Sequence, residues 1–429
     1  MEAPLIRFPT GPTVNRVSSV GFLNEVLIDY YRTVMQARDR GQLIAYVFDG
    51  FPTEILWAMN IVPVFPQKYS GMYVTQSARP GCSSGVDIFN FIEGQAGYSQ
   101  DICASARASV AMALYNDELE RFGNPLWSMP KPDLLISANN ICDTVAMYAK
   151  EIVKRYDIPA FCLDTPYIFG DPDPNAIRYI VRQVRELIEF LETISGQRLD
   201  RDRLVEAWIN SARATVFWSQ TLDLAARRPS PTCGLDITNH LLPFIMLRGT
   251  EGAAHYYRTL KAEVEERVRT GVAALPNERH RILWDIDPVY HRINYFGQRL
   301  ARYGAVVVGI LYTYVTALEL STAPPASTDP DEVIEGLARV IYTFHLNRDL
   351  DNRLRLVAHM VKKFGVDAMV INTNRGCKAC SGLLYEVNHA VRERHGIPVL
   401  TIDCDVLDPR FFSEGQIETR VDAFLETLD

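Results

Sequence analysis

A chain of 429 residues exceeds one typical domain, so two or three compact units are the natural expectation. With 48% hydrophobic and 22% charged residues, its composition is that of a globular protein and excludes a disordered or fibrous one. A formal net charge of -8 excludes the basic footprint that releases counterions from nucleic acid; the cations are dispersed along runs such as "VRQVRELIEF", which read as solvated helix faces.

The opening "MEAPLIRFPTG" lacks a charged start followed by an apolar core, so no signal peptide is predicted and a cytoplasmic location is expected. No membrane role is expected either. The longest apolar stretch, "AVVVGILYTYVTA" from Ala305, falls short of the roughly 20 residues that span a bilayer and reads as a buried strand. In such a chain the eight cysteines are expected to be thiols, metal ligands or catalytic groups rather than a disulfide framework.

In chain order, "LIAYVF" (residues 43–48) is a predicted strand, "PTEILWAMN" a helix opened by Pro52, and "IVPVF" a second strand. A helix-like "CASARASVAMALYND" follows. Then come strand "DLLISA", loop "NNICD", helix "TVAMYAKEIVKRY" and strand "IPAFCLD". This alternation predicts a parallel sheet covered by helices. From Asn175 to about Gly271 the pattern is helical, broken at "RRPSPTCG" by two prolines. Strand signals resume with "RILW", "AVVVGILY", "DAMVIN" and "IPVLTID". The expected organisation is an α/β domain over 1–172, a helical linking segment over 173–275 and a second α/β domain over 276–429, both domains flavodoxin-like or Rossmann-like with parallel sheets.

The two α/β units echo each other. Each runs Asp, apolar strand, Asn-containing loop, cysteine, helix, Ile-Pro strand and Asp; Cys142 lies nine residues after Asp133 and Cys377 ten after Asp367. Internal duplication explains this economically, although any two βαβ units share some patterning. Both cysteines follow a strand and precede a helix, the position where open α/β sheets bind ligands and where free N–H groups favour thiolates. Cys103, in "GYSQDICASAR", opens another helix. Three such thiolates meeting in a cleft between domains would leave one iron of a 4Fe-4S cluster open to another ligand; buried core thiols are the plain alternative.

The run "VINTNRGCKACSG" holds Cys377 and Cys380 as C-x-x-C. Structural zinc is disfavoured because no second C-x-x-C and no H-x-x-x-H occurs. A thioredoxin-like dithiol stays open, and it predicts no iron. No G-x-x-x-x-G-K-[ST] and no G-x-G-x-x-G after a strand is present, so ATP would have to bind a partner.

The motifs "FPTEILWAMNIVPVFP", "GYSQDICASAR", "LLPFIMLRGTEGAAHYY", "NRGCK" and "DVLDPRFFSEGQIETRVDAFLE" extend across nearly the whole chain. On them the chain resembles the 2-hydroxyacyl-CoA dehydratase and benzoyl-CoA reductase family, and "GYSQDIC" and "MLRGT" look like its larger, substrate-binding subunit. The resemblance implies two α/β domains with a 4Fe-4S cluster between them, held by Cys103, Cys142 and Cys377. It implies an oxygen-sensitive radical enzyme that dehydrates an (R)-2-hydroxyacyl-CoA to a 2-enoyl-CoA through a ketyl radical. A subunit reducing an aromatic ring to a cyclic dienoyl-CoA is the alternative, and a non-catalytic cluster-binding electron-transfer or accessory protein is the alternative of another class. The implied partners are a homologous smaller subunit, or a second copy of the chain, and an ATP-hydrolysing iron-sulfur activator. Glu54 matches a Pro-x-Glu position near the site, where a carboxylate could handle a proton; the plain reading is a helix-start carboxylate. Cys380, Cys82, Cys162 and Cys404 are additional to the three-cysteine pattern, and a double-cubane cluster using more thiolates stays open.

Overall fold

The computed structural model describes residues 14–76, 85–115, 129–319 and 327–428. The N-terminal "MEAPLIRFPTG" and Cys82 lie outside them. Among the described residues, eight strands form two parallel sheets: β1 (Ile44–Tyr46), β2 (Val62–Val64), β3 (Leu134–Ala138) and β4 (Ala160–Leu163), in the order β2-β1-β3-β4, and β5 (His280–Asp285), β6 (Ala305–Ile310), β7 (Ala368–Asn372) and β8 (Val399–Ile402), in the order β6-β5-β7-β8. The orders are the same once the second set is counted from its first strand. In each sheet the first strand is flanked by its successor and by the third strand, so each sheet has a switch point there. β1, β3 and β7 are buried at every position, as expected of parallel strands covered on both faces.

The sequence echo has a physical basis. Asp133 Oδ2 accepts the N–H of Ile44 at 2.8 Å, and Asp367 Oδ2 accepts that of Arg281 at 2.8 Å, so the aspartate opening each repeat satisfies the entry of the neighbouring strand. At the other end Asp164 accepts from Asn139 at 2.7 Å and Asp403 from Thr373 at 2.6 Å, so the closing aspartates hold the starts of the two cysteine loops.

The apolar run from Ala305 departs from the predicted single strand. The strand ends at Ile310 and a helix Leu311–Glu319 follows at once. Its residues are buried throughout 305–317, and uninterrupted burial erases the periodicity that separates strand from helix.

The helical layer also extends beyond the predicted segment. Helix Pro174–Ser195 starts on Asp173, which accepts from Asn175 N, and ends at Gly196 with φ +68°; Ile177, Ile180, Val184, Leu187, Ile188 and Leu191 make its buried stripe. Helices Arg201–Asp223 and Glu251–Thr270 are likewise capped by Asp200 and Thr250. Helix Pro330–Tyr342, from the C-terminal part of the chain, packs into this layer. Gly336 makes that approach: a methyl there would lie 2.7 Å from Trp208 Cζ2. No helix among the described residues is long and apolar enough to cross a membrane.

Candidate active site

A cavity of about 560 Å³ lies among the C-terminal ends of the strands of both sheets, a size typical of ligand sites. Cys103, Cys142 and Cys377 all line it, so the structure brings the three predicted cysteines to one place. Each immediately precedes a helix: Ala104–Leu114, Asp143–Tyr156 and Lys378–Ser381. Backbone N–H groups of the following turn lie near the sulfurs and draw the thiol pKa values down, Ala106 toward Cys103, Thr144 and Val145 toward Cys142, and Cys380 toward Cys377, although no sulfur caps its helix with a hydrogen bond. First-turn donors of this kind favour negative charge on a nearby sulfur.

The thiols also meet one another. Cys103 interacts with Cys377, and Cys377 with Cys380. The neighbouring Cys377 thiol, then burial, pushes the Cys103 thiol well up; burial raises Cys142. For Cys377 the neighbouring Cys103 thiol pulls down, but the Cys380 thiol and burial outweigh it. A bound metal centre would supply the positive charge that makes these sulfurs thiolates. Among the described residues no group of three or more His, Cys, Asp or Glu is arranged to hold a metal ion. Cys103, Cys142 and Cys377 are the residues that could each attach to a different metal of a polynuclear centre.

The loops are locked together across the sheets. Gly376 packs on Cys103, and a methyl there would lie 3.3 Å from Cys103 Cα. Arg107, fully buried in the helix that Cys103 opens, donates to the Ile102 carbonyl at 2.9 Å and to Asp408 at 3.1 Å, and is also paired with Glu93. Asp408 belongs to the "DVLDPRFF" motif and pairs with Arg410 at 2.6 Å. This ion network ties the Cys103 loop to the C-terminal unit.

Cys380 lines the cavity beside Cys377, while Cys162 is exposed on β4 and neither Cys233 nor Cys404 lines the cavity. Four described cysteines thus share the site. Burial pushes the Cys404 thiol to about 12, as expected of an inert core thiol.

Glu54 does not line the cavity. It is fully buried at the start of helix Glu54–Ala58, where Oε1 accepts from Arg248 Nε at 2.8 Å. Thr53 donates to the Arg248 carbonyl at 2.8 Å. The "PTE" and "MLRGT" motifs therefore meet each other and join the first sheet to the helical layer.

Other polar residues, not singled out from the sequence, do face the cavity. Asp49, in the loop after β1, pairs with Lys68 at 2.6 Å and accepts from Tyr312 at 2.9 Å. Asp287, just after β5, accepts from Tyr290 at 2.7 Å and from the Cys380 thiol at 3.8 Å. Tyr148 is 4% exposed and lines the cavity, and its hydroxyl makes no hydrogen bond of adequate geometry; nearby Ser109 already donates to the Ser105 carbonyl at 2.6 Å. The available signal was positional, since Asp49 and Asp287 follow the first strands of the two repeats as Cys142 and Cys377 follow the third.

Comparison with known proteins agrees with this architecture. The family model described as "2-hydroxyglutaryl-CoA dehydratase, D-component" matches residues 50–428. The chain is 27% identical to the (R)-phenyllactyl-CoA dehydratase alpha subunit of Clostridium sporogenes over 95% of each chain. It is 27% identical to the (R)-2-hydroxyisocaproyl-CoA dehydratase alpha subunit of Clostridioides difficile, again over 95% of each. A benzoyl-CoA reductase subunit of Thauera aromatica is 26% identical over 98% of this chain and 96% of its own. With the match covering seven of the eight described strands and all three cavity cysteines of the predicted set, the chain belongs to the 2-hydroxyglutaryl-CoA dehydratase D-component family.

Proposed function

We propose that this chain is the iron-sulfur, substrate-binding subunit of an enzyme that dehydrates an (R)-2-hydroxyacyl-CoA to a 2-enoyl-CoA. The observation that carries the reading is the convergence of Cys103, Cys142 and Cys377, each at a helix start, on one largely apolar cavity. A 4Fe-4S cluster bound there would supply one electron at low potential to the thioester carbonyl. The proton to be lost in such a dehydration is not acidic in the resting substrate, which is why an electron is needed.

The chain's own residues supply the rest. Ile141, Val145, Leu242, Ile245 and Leu346 give the cavity dry walls for an acyl group. The Tyr148 hydroxyl is a donor available to a ligand's carbonyl. Arg16 and Arg292 also line the cavity and offer cations to the phosphates of a CoA ester in an otherwise acidic protein. A homologous smaller subunit, or a second copy, completes the complex, and an ATP-hydrolysing activator delivers the electron. Reduction of an aromatic acyl-CoA is the second reading, favoured by the near-equal similarity to the benzoyl-CoA reductase subunit and the dehydratase subunits.

The test is anaerobic purification with the neighbouring subunit, followed by iron, sulfide and Mössbauer measurements and turnover of hydroxyacyl-CoA and aromatic acyl-CoA esters with activator and ATP. Cys103→Ser, Cys142→Ser and Cys377→Ser should each lose iron, and Cys404→Ser should keep it. Full iron in the first three overturns the ligand assignment. No iron in the wild type favours the dithiol reading, and iron without turnover of any ester favours an accessory electron carrier.

A further inference from the structure

The two first-strand loops carry acidic residues toward the same cavity as the cysteines, and they do so at quasi-equivalent positions of the repeats. Because Ile44 and Arg281 are matched through their bonds to Asp133 and Asp367, Asp49 falls one position from Asp287 in that register. Ile286 takes up the offset. It is a buried β-branched residue at φ +53°, a left-handed conformation that such residues rarely adopt and that packing must enforce. The strained turn places Asp287 in the cavity wall, where its backbone carbonyl accepts from Trp284 Nε1 at 3.1 Å.

Around Asp287 stand Tyr290, which donates to Oδ1 at 2.7 Å, and the Cys380 thiol, 3.8 Å from Oδ2. Facing them is Asp49 with Lys68 and Tyr312; Asp49 Oδ1 is buried without a partner. The Lys68 ammonium also sits 5.8 Å from the Tyr312 ring, and the His345 ring stands 5.4 Å from that of Tyr312. Arg353 is engaged elsewhere, by Asp285 at 2.6 Å. Lys68 pairs directly with Asp49 alone and acts on Asp287 at longer range; two buried carboxylates served by one lysine ammonium favour keeping a proton among them. Burial raises Asp287; the Tyr290 hydrogen bond, Lys68 and His345 oppose this without overcoming it, and Asp49 reinforces it.

We infer that Asp287, rather than Glu54, is the proton-handling carboxyl of this site, held by Tyr290 and balanced by the Lys68–Asp49–Tyr312 group. The inference rests on the proposed dehydration. When the substrate's C–O bond breaks after one-electron addition, the departing hydroxide takes the Asp287 proton and leaves as water. The resulting carboxylate then removes the proton from the β-carbon, now acidified by the radical, and the carboxylic acid is restored. One proton is given and one regained, and the added electron is returned, so no further oxidant or reductant is required. Glu54 has no such access, because it lies outside the cavity and its carboxylate is paired with Arg248.

The test compares wild type, Asp287→Asn and Tyr290→Phe as iron-loaded complexes with the smaller subunit, activator and ATP. Asp287→Asn should keep iron, sulfide and KM within a few-fold, lose about 10²- to 10⁴-fold in kcat, and lose one limb of the pH profile. Tyr290→Phe, the milder change, should keep that limb and shift it. Independently of turnover, the wild type should show a protonated-carboxyl C=O infrared band at neutral pH that is missing from Asp287→Asn. Absence of that band from the wild type overturns the inference. So does an active wild type beside an Asp287→Asn variant with unchanged kcat and pH profile, and then Asp287 alone is displaced while the dehydration stands. An iron-loaded wild type that turns over no acyl-CoA overturns the dehydration itself, and the role of Asp287 in it.

Discussion

At the residue scale, the chemistry of the cavity follows from where each side chain loses its water. His291 lines the cavity beside Tyr290, with Nε2 at 3.2 Å from the Asp405 carbonyl and Nδ1 buried without a partner. Burial lowers it to about 4, so it folds as a neutral ring. The unfolded chain therefore binds a proton here, near the ordinary histidine value of about 6.5, that the folded chain refuses. Stability supplied by this site is complete above about pH 6.5, falls as the pH drops toward 4, and levels off below, a loss on the order of 1–3 kcal/mol. His291→Gln, which cannot titrate, should flatten the urea midpoint between pH 7 and 4 relative to wild type. Parallel curves for the two proteins would show that His291 is hydrated and ordinary.

At the element scale, the helical layer depends on close packing between helices distant in sequence. Helices Arg201–Asp223 and Pro330–Tyr342 meet where Gly336 faces Trp208, a fully buried indole. In Gly336→Ala the added methyl would lie 2.7 Å from the ring, inside any real contact distance. Overpacking of this kind costs about 1–3 kcal/mol, against roughly 1 kcal/mol gained in helix propensity. The variant should melt below the wild type by calorimetry. A rise in melting temperature would show that the indole can swing aside. The helical stretch itself was legible from its apolar pattern after Asn175, and the structure caps its helices with Asp173, Asp200 and Thr250. The contact between Gly336 and Trp208 was not, because nothing in either helix's own pattern names its neighbour.

At the scale of the whole molecule, the cavity exists only while the two sheets are held in register. Asp408, fully buried, accepts from Arg107 in the N-terminal unit and from Arg410 in its own. In Asp408→Asn two guanidinium groups would share Glu93 alone, leaving buried positive charge undercompensated. Breaking a buried ion network this way costs about 3–5 kcal/mol. The denaturant midpoint should fall accordingly, and if the proposed cluster is bound its iron should be released faster under a chelator because the Cys103 loop loses its anchor. A stable variant that sheds iron no faster would show that other contacts hold the loop.

Much of this protein is written in short-range pattern. The eight strand positions, the helical stretch after Asn175 and the matched loops bearing Cys142 and Cys377 were all readable, because apolar periodicity, caps and turn residues act over a few neighbours. The echo between the two units was readable too, and it has counterparts in the shared strand order and the paired aspartates. Only the tertiary structure decided that "PTE" meets "MLRGT" and keeps Glu54 from the cavity, that Arg107 reaches the last motif, and that Asp49 and Asp287 share one wall with the thiols. Those relations join residues far apart along the chain. Their energies come from desolvation and charge pairing in a common interior, and those forces leave no local signature in the order of amino acids.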